Sequence, residues 1–272
     1  MLAQLAVPRS AATLAELVAL VVPPCCAACR APGLRPADVL CAACRRALPW
    51  LTATTCERCA LPCLPAATAA RPAGTPGRPA GTAGRAAATA GPAPPRHRRC
   101  PAAGAAFGRA WAAMAYEGVA RDAIRALKFA RARALADVMA AQIAACAPPA
   151  LLSAGATLVA VPAHPRRRRA RGFDPAELLA QALARRTGLP LERALQRDAA
   201  AARQLGASRS QRHQLDRLGF EPRQRAPPRA VLVDDVHTTG ATLHACAAAL
   251  RSAGARHVVA ITWARALDEG RH

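Results

Sequence analysis

Two adjacent carboxylates, Asp234 and Asp235, follow the apolar run Val231-Leu232-Val233 and precede His237-Thr238-Thr239-Gly240-Ala241-Thr242. The apolar run reads as a short strand buried on both faces of a parallel sheet. The acids then fall at its carboxyl end, where open α/β sheets bind their ligands. Leu243, Ala247 and Leu250 begin a helical period, so Thr238 to Thr242 form a loop entering a helix N-terminus. Free N–H groups and the helix dipole suit a phosphate there, and Gly240 lets the backbone come close to it. A polar strand end with an N-cap would explain one carboxylate, but not two followed by Thr-Thr-Gly-x-Thr.

Cysteine is the second chemical signal. Three Cys-x-x-Cys pairs occur: Cys26 with Cys29, Cys41 with Cys44, and Cys56 with Cys59. Two intervening residues suit a tight knuckle that points both sulfurs at one ion, and two knuckles complete a four-thiolate zinc site. The first two pairs should share a structural zinc, with Cys25 spare. For the third pair the partners His97 and Cys100 are available, Cys63 could replace His97, or the pair could be free of metal.

Basic residues cluster near the expected strand ends. Arg166 to Arg169, Arg171 and Gly172 form an arginine-rich loop between a strand and a helix, placed to meet a pyrophosphate or simply solvated. Lys128, in Ala-Leu-Lys-Phe, either snorkels outward or reaches a phosphate.

The elements that must position these groups follow from periodicity. Ala11 to Val22 predicts a short helix ended by Pro23 and Pro24. Trp111 to Tyr116 predicts a strand, Arg121 to Ile143 one long helix, and Thr157 to Val161 a second buried strand. Asp174-Pro175-Ala176-Glu177 resembles a capping box for a helix running to Thr187, with Gly188 as its C-cap. Residues 196–225 are polar and arginine-rich, long enough for a flap. A last strand spans His257 to Thr262. Strand and helix alternate, as in a doubly wound α/β sheet.

The 272 residues suffice for a sizeable core, and the net charge of +22 suits polyanionic or phosphorylated partners, or solvated arginine faces. Aromatics make up only 3%, few for a dedicated single-strand binder that stacks bases. The segment Leu64–Arg99 is low-complexity and without acids, so disorder is expected. Expected domains are therefore 1–63 (helix plus zinc ribbon), 64–105 (insertion and linker with the last zinc ligands) and 106–272 (the α/β domain). Glu16 interrupts the apolar Ala11–Val22 segment, which is too short to span a bilayer, and Pro24 spoils a lipoprotein-type site before Cys25. No membrane insertion and a reducing, cytoplasmic location are expected, which favours metal over disulfides.

Two resemblances carry these readings further. Val231 to Thr242 resembles the signature of type I phosphoribosyltransferases that binds phosphoribosyl pyrophosphate. That implies Asp234 and Asp235 on the ribose hydroxyls and Thr238, Thr239, Gly240, Ala241 and Thr242 around the 5-phosphate. The chain as a whole resembles the ComF family, in which a double zinc ribbon precedes a type I phosphoribosyltransferase-like domain. The resemblance rests on the paired knuckles, Tyr116-Glu117-Gly118, Ala126-Leu127-Lys128-Phe129, Val161-Pro162, Arg171-Gly172-Phe173 and Asp234–Thr242. It implies a mostly parallel sheet flanked by helices, structural Zn2+, Mg2+ with the phosphoribosyl ligand, and a role in competence for DNA uptake. Single-stranded DNA and DNA-uptake proteins are the implied partners, with transfer to an unidentified nitrogen acceptor as the other reading. The chain departs from the family at Asp174 and Leu215, usually asparagines, and at His97, usually a cysteine.

Overall fold

The computed structural model describes residues 24–35, 37–52, 54–63, 97, 100–130, 132–198 and 218–267. The helix expected at 11–22, the insertion from 64 to 96 and the flap residues 199–217 lie outside them. No helix among the described residues is long and apolar enough to cross a membrane.

The fold is α/β. Strands β1 (Arg109–Ala115), β2 (Thr157–Ala160), β5 (Arg229–His237) and β6 (His257–Arg265) form one sheet in the order β1-β6-β5-β2. All three pairings are parallel. Strands β3 (Leu195–Arg197) and β4 (Phe220–Pro222) make a separate antiparallel pair at the two ends of the expected flap. The helices are α1 (Ala42–Arg46), α2 (Gly118–Phe129), α3 (Leu135–Cys146), α4 (Pro165–Arg171), α5 (Pro175–Thr187) and α6 (Ala241–Ser252).

Both sheet faces are covered, which is why the strands are apolar runs rather than alternating ones. On one face Ile124, Leu127, Met139, Ile143, Leu179 and Leu183 pack on Val231, Val233, Ile261 and Trp263. On the other, Leu243, Cys246 and Leu250 of α6 pack on Leu232, Val258 and Ala260, together with Phe107, Cys56 and Cys59. Each such fully buried aliphatic side chain contributes about 1.5–3 kcal/mol.

Three expectations need correction. The single helix expected over 121–143 is two, α2 and α3, broken between them. Lys128, in the last turn of α2, meets Asp235, and Arg133, just before α3, stands over the Phe173 ring at 4.8 Å; such tertiary contacts can override a sequence that contains no helix breaker. The arginine-rich loop is helix α4, with His164 Nδ1 accepting from Arg166 N and Gly172 at φ +76° closing it. Asp174 caps α5 as expected, accepting from Ala176 N at 3.1 Å. The other half of the expected capping box is absent, because Glu177 pairs with Arg193 instead.

The cysteine-rich segment is stitched to the sheet. Leu51 N donates to Ala113 O, Ala115 N to Pro49 O, and Ala110 N to Glu57 O. Trp50 bridges Met114 in antiparallel fashion, and Arg109 pairs with Glu57. Residues 49–57 thus cover the free edge of β1, removing an aggregation-prone row of unpaired groups.

Candidate functional site

Two kinds of groups could do chemistry: the carboxylates with their loop at the carboxyl end of β5, and two cysteine clusters in the ribbon. In the first cluster the donor atoms of Cys26, Cys29, Cys41 and Cys44 all lie within 4.8 Å of one another. Sulfurs about 2.3 Å from a tetrahedral zinc stand about 3.8 Å apart, and Cys29 and Cys41 Sγ are 3.8 Å apart. Cys41 N and Cys44 N each donate to a cysteine sulfur at 3.4 Å. Burial opposes ionisation of Cys26, yet the N–H groups of Cys29, Cys41 and Ala28 pull its thiol down to about 6. All the cysteines are free of disulfides. These residues fit a four-thiolate structural zinc.

The second cluster has five candidate donors. Cys56, Cys59 and Cys100 lie within 4.8 Å of one another, as do Cys56, Cys63 and His97. Cys56 and Cys100 Sγ are 3.9 Å apart, again the zinc spacing. His97 Nε2 is buried with no hydrogen-bond partner, which a metal at that atom would explain. The structure therefore brings His97, Cys63 and Cys100 to the Cys56–Cys59 knuckle, although His97 lies 34 positions beyond Cys63.

The two knuckles share one backbone design. Cys26 N donates to Ala31 O and Arg30 N to Cys26 O; Cys56 N donates to Leu61 O and Ala60 N to Cys56 O. Arg30 and Ala60, each just after the second cysteine, have φ of 64° and 59°. Neither is glycine, so no residue type signalled this turn.

At the end of β5, alternation sends the acids to opposite faces. Asp235 is buried, and Lys128 Nζ stands 2.9 Å from its Oδ1 and 2.8 Å from its Oδ2. Asp234 is half-buried, its Oδ1 accepting from Asp235 N at 2.8 Å. Burial first, and the negative Asp235 second, hold the Asp234 carboxyl well above the usual carboxylate range. A perturbed acid at a strand end, beside a second carboxylate, is a functional-site candidate.

The loop that follows is exposed at Thr238, Thr239 and Ala241; α6 begins directly after Gly240, which has no side chain to cap it, and Thr239 Oγ1 accepts from Ala241 N at 3.4 Å. Gly240 has φ +84°, and a Cβ there would stand 2.8 Å from His237 Nε2. Only glycine fits. Burial, then Arg265, pull His237 down to about 3, so the imidazole under the loop is neutral at ordinary pH.

Arg171 and Gly172 close α4 on the neighbouring side. The Arg171 guanidinium lies 5.0 Å from the ring of Phe129, the residue after Lys128. Asp235, Lys128, Phe129 and Arg171 therefore form one continuous rim, while Arg166 to Arg169 are exposed. Asp174 is buried and accepts from both Ala163 N at 2.7 Å and Ala176 N. A carboxylate suits two N–H donors, which an asparagine amide would meet with one oxygen.

One group escaped the sequence reading. Arg265, 3% exposed, ends β6 three residues beyond the predicted strand. It donates to Cys59 O at 2.8 Å and to His237 O at 2.9 Å. Its only sequence signal was an arginine continuing the apolar run Ala260-Ile261-Thr262-Trp263-Ala264. A separate cleft of about 370 Å³, lined by Arg109, Leu151, Arg229 and His257, lies at the opposite ends of the strands. Its arginines are engaged by Glu57 and by Ser153.

A family model for the double zinc ribbon domain matches residues 17–74. The match contains the three Cys-x-x-Cys pairs and stops short of His97 and Cys100, which the fold supplies from beyond it. No curated protein matches the chain.

Proposed function

We propose that the chain is a ComF-type protein that binds phosphoribosyl pyrophosphate with Mg2+ on a type I phosphoribosyltransferase-like domain, and that it serves the handling of incoming DNA. The observation that carries this reading is the Asp234–Asp235 pair at the end of β5, next to the exposed loop and N-terminus of α6. In this reading the resemblance assigns both acids to the ribose hydroxyls, the half-buried Asp234 directly and Asp235 held at the strand end by Lys128 at 2.8 Å. The N–H groups of residues 238–242 and the α6 dipole take the 5-phosphate. Arg171, beside that pair, meets the pyrophosphate. Magnesium, when bound, supplies positive charge to the pyrophosphate. Zinc holds the ribbon together, because a segment with so few core residues folds on its metal.

The raised Asp234 carboxyl favours a second reading, transfer of the phosphoribosyl group to a nitrogen acceptor, since a carboxyl tuned upward can take a proton. The exposed arginines of α4 support single-stranded DNA as a partner, with binding that weakens steeply as salt rises.

Calorimetry of phosphoribosyl pyrophosphate with and without Mg2+ tests the site. Asp235→Asn should weaken binding well over tenfold, as loss of a charged partner costs about 2–5 kcal/mol. Unchanged affinity in that variant rejects the site. Pyrophosphate release across a panel of bases and amines then separates enzyme from binder.

A further inference from the structure

We infer that Arg265 is a positioning residue that ties the anion loop to the second zinc knuckle, so that metal in the ribbon holds the loop in its binding shape. This rests on the loop reading above for its function, but not for its geometry. Arg265 is buried, and one guanidinium serves two distant pieces of chain. Its Nε donates to the carbonyl of Cys59, a candidate zinc ligand. Its NH1 donates to the carbonyls of His237, Thr238 and Ala266, the first two being the residues that enter the loop.

The rest of the loop leans on the same support. Gly240 lies over the His237 ring with no room for a Cβ. Ala266 N donates to His237 O as well, at 2.9 Å. Phe107, from the segment joining the second ribbon to β1, meets His237 edge-on at 6.1 Å between centroids. Cys59 itself is held in place by its knuckle, whose carbonyl directions depend on the turn at Ala60 (φ 59°). A zinc on Cys56 and Cys59 fixes that turn. Without the ion the Cys59 carbonyl is free to rotate, Arg265 loses one end of its span, and the carbonyls of His237 and Thr238 lose theirs. The coupling is reciprocal: whatever orders the loop also holds the knuckle.

The test uses amide hydrogen exchange of the full chain, read on peptides covering 237–242 and 230–233, with zinc counted by elemental analysis. Cys56 belongs to both ligand groups of the second cluster, so Cys56→Ser removes that zinc. It should speed exchange over 237–242 about tenfold or more, while 230–233 stays protected. Arg265→Lys, with its zinc content unchanged, should speed the same loop. Loop exchange unchanged in Arg265→Lys overturns the inference, as does zinc loss in Cys56→Ser that leaves the loop protected. Should Cys56→Ser expose the whole sheet, Arg265→Lys decides alone. Calorimetry on the same proteins separates the two readings. Wild-type protein that ignores phosphoribosyl pyrophosphate removes the ligand, while accelerated loop exchange still supports the tie.

Discussion

At the end of β5, Asp234 carries a carboxyl that burial and a neighbouring charge hold above its usual range, whereas Asp235 is paired with Lys128 at 2.8 Å. Opposite consequences for stability follow. A carboxyl whose folded pKa is raised lowers stability as pH climbs from its unfolded value through the folded one. Asp234→Asn removes that fall, and its amide oxygen can still accept from Asp235 N. We expect it to raise the neutral-pH Tm and to flatten the stability–pH curve above the usual carboxylate range. Asp235→Asn leaves the partly buried Lys128 without its charge partner and should lower Tm by several degrees. Thermal melts from pH 4 to 8 check both, and matching shifts in the two variants would contradict this account. The paired acids were visible in the sequence because Val-Leu-Val before them marks a buried strand. Their different environments were not, since those depend on which face each acid meets and on a lysine 107 positions away.

Among elements, the second ribbon separates what local pattern reveals from what the fold decides. Cys-x-x-Cys spacing is a short-range property, so the knuckles were legible. The choice between His97 and Cys63 is a long-range one, and two observations bear on it. Both residues reach Cys56, but His97 Nε2 is buried without a hydrogen-bond partner, a state that a bound metal would relieve. His97 is therefore the expected fourth ligand. Cys63→Ser should keep the full zinc content, and His97→Ala should surrender the second zinc to a mild chelator first; the reverse order would assign Cys63. Helix boundaries show the same division. The Asp174 cap and the Gly188 stop were readable from residue type, while the break between α2 and α3 was not, because nothing in 130–134 disfavours helix. The short helix α4 had signals that went unused, proline at its start and glycine at its end.

Among the described residues, the sheet, the helices on its faces and the ribbon along its edge form one connected body, and the segment 64–96 joins two points of it, Cys63 and His97, both gathered around Cys56. For a polymer this is a loop whose ends are already pinned, and the entropy of closing it grows only with the logarithm of its length. Doubling the segment 64–96 should then cost about 0.6 kcal/mol, and deleting most of it should change Tm by a degree or two at most. Melts of a length series check this, and a steep dependence on length would mean that the segment packs on the body. The same pinning makes the chain's continuity dispensable there. A chain cut once between 64 and 96 should therefore stay joined through the strand-edge contacts of residues 49–57 and through any metal on the second cluster, so insertion, cleavage or tagging there is expected to leave the fold standing.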